Sequence, residues 1–378
     1  MIPIRKVIQE KNTSHVKTTT QSYKDATKKE ITKVYKDVFA IDIGFGYEKF
    51  KATDTEGTFA SFCSQISSLQ ELIQTEKQEI INCLTIEHNG QIQLVGFLAA
   101  KHDRQVARST YRERALDDNF QVLFKAGIVA AYHQYSNVDL TVVTGLPNDD
   151  LNTQKEDLAE IIRGITTVNY YYDNKRYTIN ITYSDVIVVT QPEGFRAELL
   201  FNDNLTHITP VNEQGEVIRR MGVLDFGHGT LNMSLFEGTD ILGVGSRTCS
   251  AAGVHSIYDT VGMALKKYFD QFDSNHLDIE CAIVRKKVRV RGRQYDVSDL
   301  VNPIIDKYAK DSFQAIYEKW KGELDQLNAI FITGGGSNII AEKIAHIFDK
   351  KARYTDVYLV DSAQLLNVRG YSKIGYGC

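Results

Sequence analysis

Apolar residues along the chain gather in short runs of strand length, separated by turn-forming residues. From residue 38 the pattern reads VFAIDIG and then YEKFKATD with alternation, which predicts a buried strand and its hairpin partner. Further strand-like runs are IQLVGFLA, VDLTVVTGLP, RYTINITY, DVIVVTQPEG, MGVLDFG, LNMSLFEG, DILGVG, AIFITGGG and VYLVDS. Helical spacing occurs near residues 115–135, 151–164, 252–271, 303–322 and 337–350. Hairpins mixed with strand–helix alternation predict an α/β protein with more than one sheet.

Residues 1–37 break this pattern. They carry nine Lys or Arg against four Asp or Glu, and a polar stretch HVKTTTQSYKDATKKE. Such a segment buries too little apolar surface to offset its ordering entropy, so a solvated arm is expected. The alternative is an arm that docks on a neighbouring subunit or an acidic partner, with Ile2, Ile4, Val7 and Ile8 as a small anchor. Structure proper is expected from Val38.

One internal repeat organises the remainder. Residues 39–50 read FAIDIGFGYEKF and residues 222–235 read GVLDFGHGTLNMSL. Each is an apolar strand, an Asp-x-Gly-x-Gly turn and a second strand, which predicts two related halves. Two glycines at a hairpin tip let backbone N–H groups approach an anion. An aspartate ending the first strand, Asp42 or Asp225, suits a hydrated Mg²⁺, which takes only one or two carboxylates. Lys49 alternates onto a face from which it reaches phosphate. Two facing tips would grip a polyphosphate from both sides.

Two further segments carry chemistry. AIFITGGGSN ends a strand in Gly334, Gly335 and Gly336, with Ser337 placed to cap the next helix, so a flat ligand or phosphate can lie on bare backbone. A tight strand-to-helix turn is the structural alternative. QPEG places Glu193 where a carboxylate orients or deprotonates a water attacking a γ-phosphate. Glu193 reads equally as an ordinary first-turn helix acid.

Composition narrows the class. With 378 residues, 43% hydrophobic and 24% charged, the chain has material for a sizeable core, and a formal charge of −4 does not suggest a basic nucleic-acid binder. Five cysteines without a CxxC pair suit reduced thiols, and no apolar run or signal core marks a membrane or secreted protein, so a cytoplasmic location is expected. P-loop, dinucleotide, zinc and GxSxG signatures are absent. The basic run at 284–297 looks like a hairpin whose edge is guarded by Arg285, Lys286, Lys287, Arg289, Arg291 and Arg293, or a contact for an acidic partner. The Tyr-rich run at 168–179 reads as two strands around an Asp-Asn turn.

The order DIGFGYEK, TGLP, QPEG, LDFGHGT, TGGGSN and NVRGY resembles the actin/Hsp70/sugar-kinase ATPase superfamily. Within it, residues 38–378 look most like the bacterial actin-like plasmid-segregation proteins of the ParM group. The resemblance implies an actin-like ATPase fold, two lobes with duplicated RNase H-like subdomains around a nucleotide cleft. Residues 38–192 with 358–378 would form lobe I, and 193–357 lobe II. Asp42, Gly44, Phe45, Gly46 and Lys49 correspond to the first phosphate loop, and Asp225, Gly227, His228, Gly229 and Thr230 to the second. Gly334, Gly335 and Gly336 correspond to the adenosine loop, and the helix after Gly253, ending in Lys266 and Lys267, to the purine-lining region. Glu193 falls where ParM-like proteins place their catalytic glutamate, with Asp42 and Asp225 as the Mg²⁺ carboxylates. The implied ligand is ATP, or GTP, with Mg²⁺. Implied partners are further copies in a helical filament and a DNA-binding adaptor of a partition system, without direct nucleic-acid or membrane contact. The rivals are a small-molecule kinase of the same superfamily and an Hsp70-like or cell-shape actin homologue.

Overall fold

The computed structural model describes residues 5–6, 34–71, 79–102, 107–108, 113, 117–212, 214–249, 252–270, 272, 274–351, 356–360 and 363–377. The first strands are β1 (Arg5–Lys6), β2 (Tyr35–Ile43), β3 (Tyr47–Lys51), β4 (Glu56–Ala60), β5 (Phe62–Ile66), β6 (Thr85–His88) and β7 (Gln91–Val95). Helix α1 (Phe97–His102), β8 (Ala107–Arg108), α2 (Asp118–Tyr132), β9 (Asn137–Leu146), α3 (Leu151–Gly164), β10 (Thr167–Tyr172) and β11 (Lys175–Thr190) complete the first sheet and its cover. Then come α4 (Gln191–Leu200), β12 (Arg220–Phe226), β13 (Leu231–Glu237), β14 (Asp240–Cys249), α5 (His255–Tyr268) and α6 (His276–Arg285). The chain continues with β15 (Lys287–Val290), β16 (Arg293–Asp296), α7 (Ser298–Trp320), β17 (Ala329–Thr333), α8 (Ser337–Lys351), β18 (Asp356–Leu359) and α9 (Leu366–Gly375).

Two large sheets result. One runs β4-β3-β2-β9-β11-β10-β6-β7-β5-β8 and the other β1-β18-β17-β12-β13-β14, while β15 and β16 form a separate ribbon. The internal repeat reappears as topology. Strand β2 pairs antiparallel with β3 and parallel with β9, and β12 pairs antiparallel with β13 and parallel with β17. Both β2 and β12 end in unbroken buried runs because helices cover both faces of each sheet, which is why they read as continuous apolar stretches.

Helices α4 and α9 lie between the sheets. Phe195 and Leu200 of α4 pack with Val223, Phe236 and Phe331 of the second sheet, whereas Val368 and Tyr371 of α9 pack with Val38, Ala40 and Val143 of the first. The two helices cross on bare backbone: a Cβ at Gly370 would fall 1.7 Å from the Gly194 carbonyl oxygen. This crossing draws the ends of β2 and β12 together.

Several sequence expectations shift. Strand β2 begins at Tyr35, so Tyr35–Asp37 belong to the sheet; Asp37 accepts from Tyr132 Oη at 3.0 Å and Thr53 Oγ1 at 2.5 Å. Of residues 1–33 only Arg5 and Lys6 are described, paired in parallel with Tyr358 and Leu359; the rest of the expected arm lies outside the described residues. FLA of IQLVGFLA starts α1, because Gly96 at φ +73° ends the strand. RYTINITY and DVIVVT form one strand with a register shift between Tyr183 and Asp185. Helices α6 and α9 have no counterpart in the sequence reading. The basic hairpin is real but shorter: Arg285 ends α6, Lys286 is its left-handed cap, and Val288 and Val290 are buried while Lys287, Arg289, Arg291 and Arg293 are exposed. The Asp-Asn turn is present, with Asp173 and Asn174 both left-handed (φ 51° and 57°). Cys63, Cys83, Cys249 and Cys281 are free thiols. Among the described residues no helix is long and apolar enough to cross a membrane.

Candidate functional site

The two glycine-spaced turns face each other across a cleft between the sheets. In the first, Gly44 N donates to Tyr47 O at 3.2 Å, and Ser61 pins the loop through Oγ to Gly44 O and N to Gly46 O. In the second, Gly227 N donates to Thr230 O at 2.8 Å, and the start of α5 buttresses it with His255 N on His228 O at 2.8 Å. Register makes the turns comparable: Asp42 pairs with Lys49, and Asp225 with Asn232.

That one difference sets the electrostatics. Lys49 Nζ lies 3.0 Å from Asp42 Oδ2. Asp225 has no lysine at the equivalent place; Asn367 Nδ2, from α9, donates to its Oδ2 at 3.0 Å. Burial therefore pushes the Asp225 carboxyl up to about 6, with the Asp42 charge adding to the effect and Asn367 and Lys49 opposing it. Asp225 is a buried carboxylate short of a cation, and Asp42 shares the cleft with it. A hydrated divalent ion fits this donor set, since Mg²⁺ keeps most of its waters and needs few carboxylates.

The third loop closes the floor. Thr333 pairs with Asp225, and the chain then turns at Gly334 (φ +89°). A Cβ there would stand 2.2 Å from Asp225 Oδ1, and one at Gly336 would stand 2.8 Å from Phe226 O, so only glycine permits this approach. Ser337 does not cap by accepting: it is the first residue of α8 and its hydroxyl donates to Gly334 O at 2.7 Å.

The cleft is lined by Asp42, Gly44, Phe45, Gly46, Lys49, Asp225, Gly227, His228, Gly229, Thr230, Gly334, Gly335 and Gly336, so these sequence candidates share one place. Val254, the N-cap of α5, and Tyr258 within that helix also line it, while Lys266 and Lys267 are exposed in the helix's last turn. Glu193 is not in the lining. It sits in the first turn of α4, where Oε2 accepts from Thr190 N at 2.7 Å and Thr190 Oγ1 at 2.8 Å; Oε1 makes no hydrogen bond within the described protein.

Sequence reasoning passed over three amides that line the cleft. Gln191 Nε2 donates to Asp42 Oδ1 at 3.1 Å while its Oε1 accepts from Asn232 Nδ2 at 2.8 Å, which links the two sheets at the cleft floor. Asn367 supports Asp225, and Gln364 reaches Thr58 Oγ1 at 3.4 Å. Gln191 opens QPEG and Asn367 opens NVRGY, but neither was singled out, because amides carry no period or motif of their own; Gln364 lies just before NVRGY.

Comparison with known proteins agrees with this architecture. The N-terminal domain family of actin-like proteins matches residues 40–194, and the C-terminal family of archaeal MreB-like actin homologues matches residues 223–346. The chain belongs to the actin-like proteins. Among solved structures, a ParM from Clostridium botulinum, determined as a 15-stranded filament, is 20% identical with a TM-score of 0.73, over 91% of this chain and 100% of that one. The archaeal actin homologue Ta0583 is 18% identical with a TM-score of 0.71, over 90% of this chain and 100% of that one. The actin-like protein Alp7A is 15% identical with a TM-score of 0.70, over 90% and 96%. At these identities the structural likeness carries the fold. No curated protein matches by sequence.

Proposed function

We propose that the protein is an ATP-dependent, filament-forming actin-like ATPase that drives plasmid DNA segregation, with hydrolysis controlling filament disassembly. The observation that carries this reading is the pair of opposed Asp-x-Gly-x-Gly turns, one with a lysine-paired aspartate and one with a buried aspartate short of a cation. ADP is bound by the archaeal homologue Ta0583 in one of its crystal structures, which supports a nucleotide here. Filaments are formed by the ParM of Clostridium botulinum and by Alp12, which supports self-association.

Each residue has an expected task. The glycine turns offer backbone N–H groups to phosphate oxygens, and Lys49 adds a positive charge on the same face. Asp42 and Asp225 would hold Mg²⁺ through its waters; when bound, that ion supplies the positive charge that neutralises phosphate. Gln191 keeps Asp42 oriented. Glu193 Oε1 is the atom left to orient a water, its Oε2 being committed to Thr190. Contacts to both turns at once favour the closed cleft, and a head-to-tail contact that does not close on itself grows a helical filament. A DNA-binding adaptor would attach such a filament to its cargo.

Light scattering and sedimentation after adding ATP and Mg²⁺, against ADP, test the reading. Scattering that rises with ATP and decays as phosphate appears is expected. Tight ATP binding without assembly at any concentration or salt would overturn the filament, and turnover that depends on an added acceptor would identify a small-molecule kinase instead.

A further inference from the structure

The residues between the paired glycines, Phe45 and His228, occupy the same place in the two turns, and each lays its ring on the opposite hairpin. A Cβ on Gly229 would fall 2.2 Å from Phe45 Cδ2 and 2.6 Å from Cε2, so the phenyl ring rests on that glycine's backbone. A Cβ on Gly46 would meet His228 Cβ and Cγ at 3.1 Å. The contact is reciprocal but unequal: a methyl group at Gly229 would force the Phe45 ring aside, whereas at Gly46 the His228 ring would have to give by only a few tenths of an ångström.

The surroundings brace this contact. Tyr258 stands edge-on to His228 with centroids 5.2 Å apart, and Tyr258 itself stacks on His276 at 4.9 Å and 8°. Behind the second turn, a Cβ on Gly253 would come within 2.2 Å of the Gly229 carbonyl carbon, so the segment entering α5 holds that turn in place. Ser61 holds the first. With both loops fixed from behind, the cavity left in the cleft is about 70 Å³. The two rings lie between the glycine tips, which is the space a terminal phosphate needs if both tips are to hold it.

We infer that Phe45 and His228 form a reciprocal ring-on-glycine clasp that distinguishes a nucleoside diphosphate from a triphosphate. The inference rests on the nucleotide-cleft reading. A diphosphate leaves the rings in contact. A triphosphate parts them, exchanging ring contacts for phosphate contacts to both turns. The clasp therefore opposes the triphosphate state, and because it is present both without nucleotide and with a diphosphate, its removal tightens ATP while leaving ADP little changed.

The test compares the wild type with Phe45→Ala, His228→Ala and the milder Phe45→Leu, using methylanthraniloyl-labelled ADP and ATPγS in equilibrium fluorescence titrations. Phe45→Ala is expected to tighten ATPγS roughly fivefold or more while leaving ADP within about twofold. Phe45→Leu should fall between. Hydrogen exchange of residues 226–231 without nucleotide gives a second readout, expected to speed up when either ring is removed. Gly229→Ala, which drives a methyl into the Phe45 ring, should reproduce the Phe45→Ala pattern from the other side. Equal loss of both nucleotides, or an unchanged ADP-to-ATPγS ratio, overturns the clasp and leaves the nucleotide cleft standing. Failure of the wild type to bind either nucleotide overturns the cleft reading, and the clasp with it.

Discussion

Replacing Asp225 by Asn separates what this carboxylate costs the fold from what it does in the cleft. Asp225 is 4% exposed, and burial raises its pKa from 3.8 to about 6, with the Asp42 charge adding and Asn367 and Lys49 opposing. The folded value lies above the unfolded one, so the side chain's contribution to stability is complete below the unfolded pKa and is lost as pH rises through about 6. That gap of some two units, at about 1.4 kcal/mol per unit, amounts to about 3 kcal/mol above pH 6. Asp225→Asn keeps the shape and an acceptor for Asn367 Nδ2 but carries no charge. An unsatisfied buried amide returns about 1–3 kcal/mol of that relief, so nucleotide-free variant is expected to be equal to or up to about 2 kcal/mol more stable than wild type at pH 7.5. Urea denaturation between pH 4.5 and 7.5 should show the variant gaining on the wild type by about 1.4 kcal/mol per unit up to pH 6 and holding level beyond it. Magnesium and ATP should then raise the wild-type midpoint and leave the variant's unchanged. A stability difference that stays constant across the whole range would refute the description of Asp225 as a buried carboxylate short of a cation.

Glu48 is fully buried beneath the first turn, neither carboxyl oxygen has a hydrogen-bond partner among the described residues, and burial holds its pKa well above the usual carboxylate range. Glu48→Met is expected to stabilise the protein by about 1–3 kcal/mol at neutral pH, by an amount that shrinks toward pH 4 in denaturant titrations. Gly370→Ala should destabilise by about 3 kcal/mol or more, because its methyl group meets the Gly194 backbone and neither helix can yield without moving a sheet; thermal melting checks this. Glu193→Ala should leave ATP binding intact and slow phosphate release by about 10²-fold or more, prolonging filaments in scattering traces, whereas Gln191→Ala should weaken Mg²⁺-dependent binding by freeing Asp42. Truncation to Val34 removes only the two-residue edge strand β1 from the described sheets and should lower the melting temperature less than truncation through Asp37, which also removes the acceptor of Tyr132 and Thr53.

The strands and turns nearest the site were legible because their signals are local. An apolar run ending in Asp-x-Gly-x-Gly marks a hairpin tip wherever it sits, and two copies betray two related halves. Misreadings cluster where a neighbouring element overrides the run. FLA continues an apolar stretch but becomes α1 once Gly96 turns the chain. QPEG looks like a strand end but opens α4, where Thr190 and Glu193 bond to one another. Helix α9 escaped notice because four of its seven buried residues, Asn367, Gly370, Ser372 and Lys373, are not apolar side chains; Lys373 is satisfied by Phe201 O at 2.6 Å and Glu198 Oε2 at 2.7 Å.

The sequence alone determined the class: an α/β chain with a duplicated, glycine-tipped hairpin, each tip preceded by an aspartate. Only the tertiary structure decided how the two copies differ. Lys49 lies across from Asp42 by register and pairs with it, but the group that bonds Asp225 is an amide supplied by α9, far along the chain. The rings of Phe45 and His228 meet glycines nearly half a chain away, because α4 and α9 cross without side chains between them. Local patterns encode strands and turns, since those depend on neighbouring residues; the charge of a buried carboxylate and the fit of a ring on a glycine depend on which distant backbone the fold brings alongside.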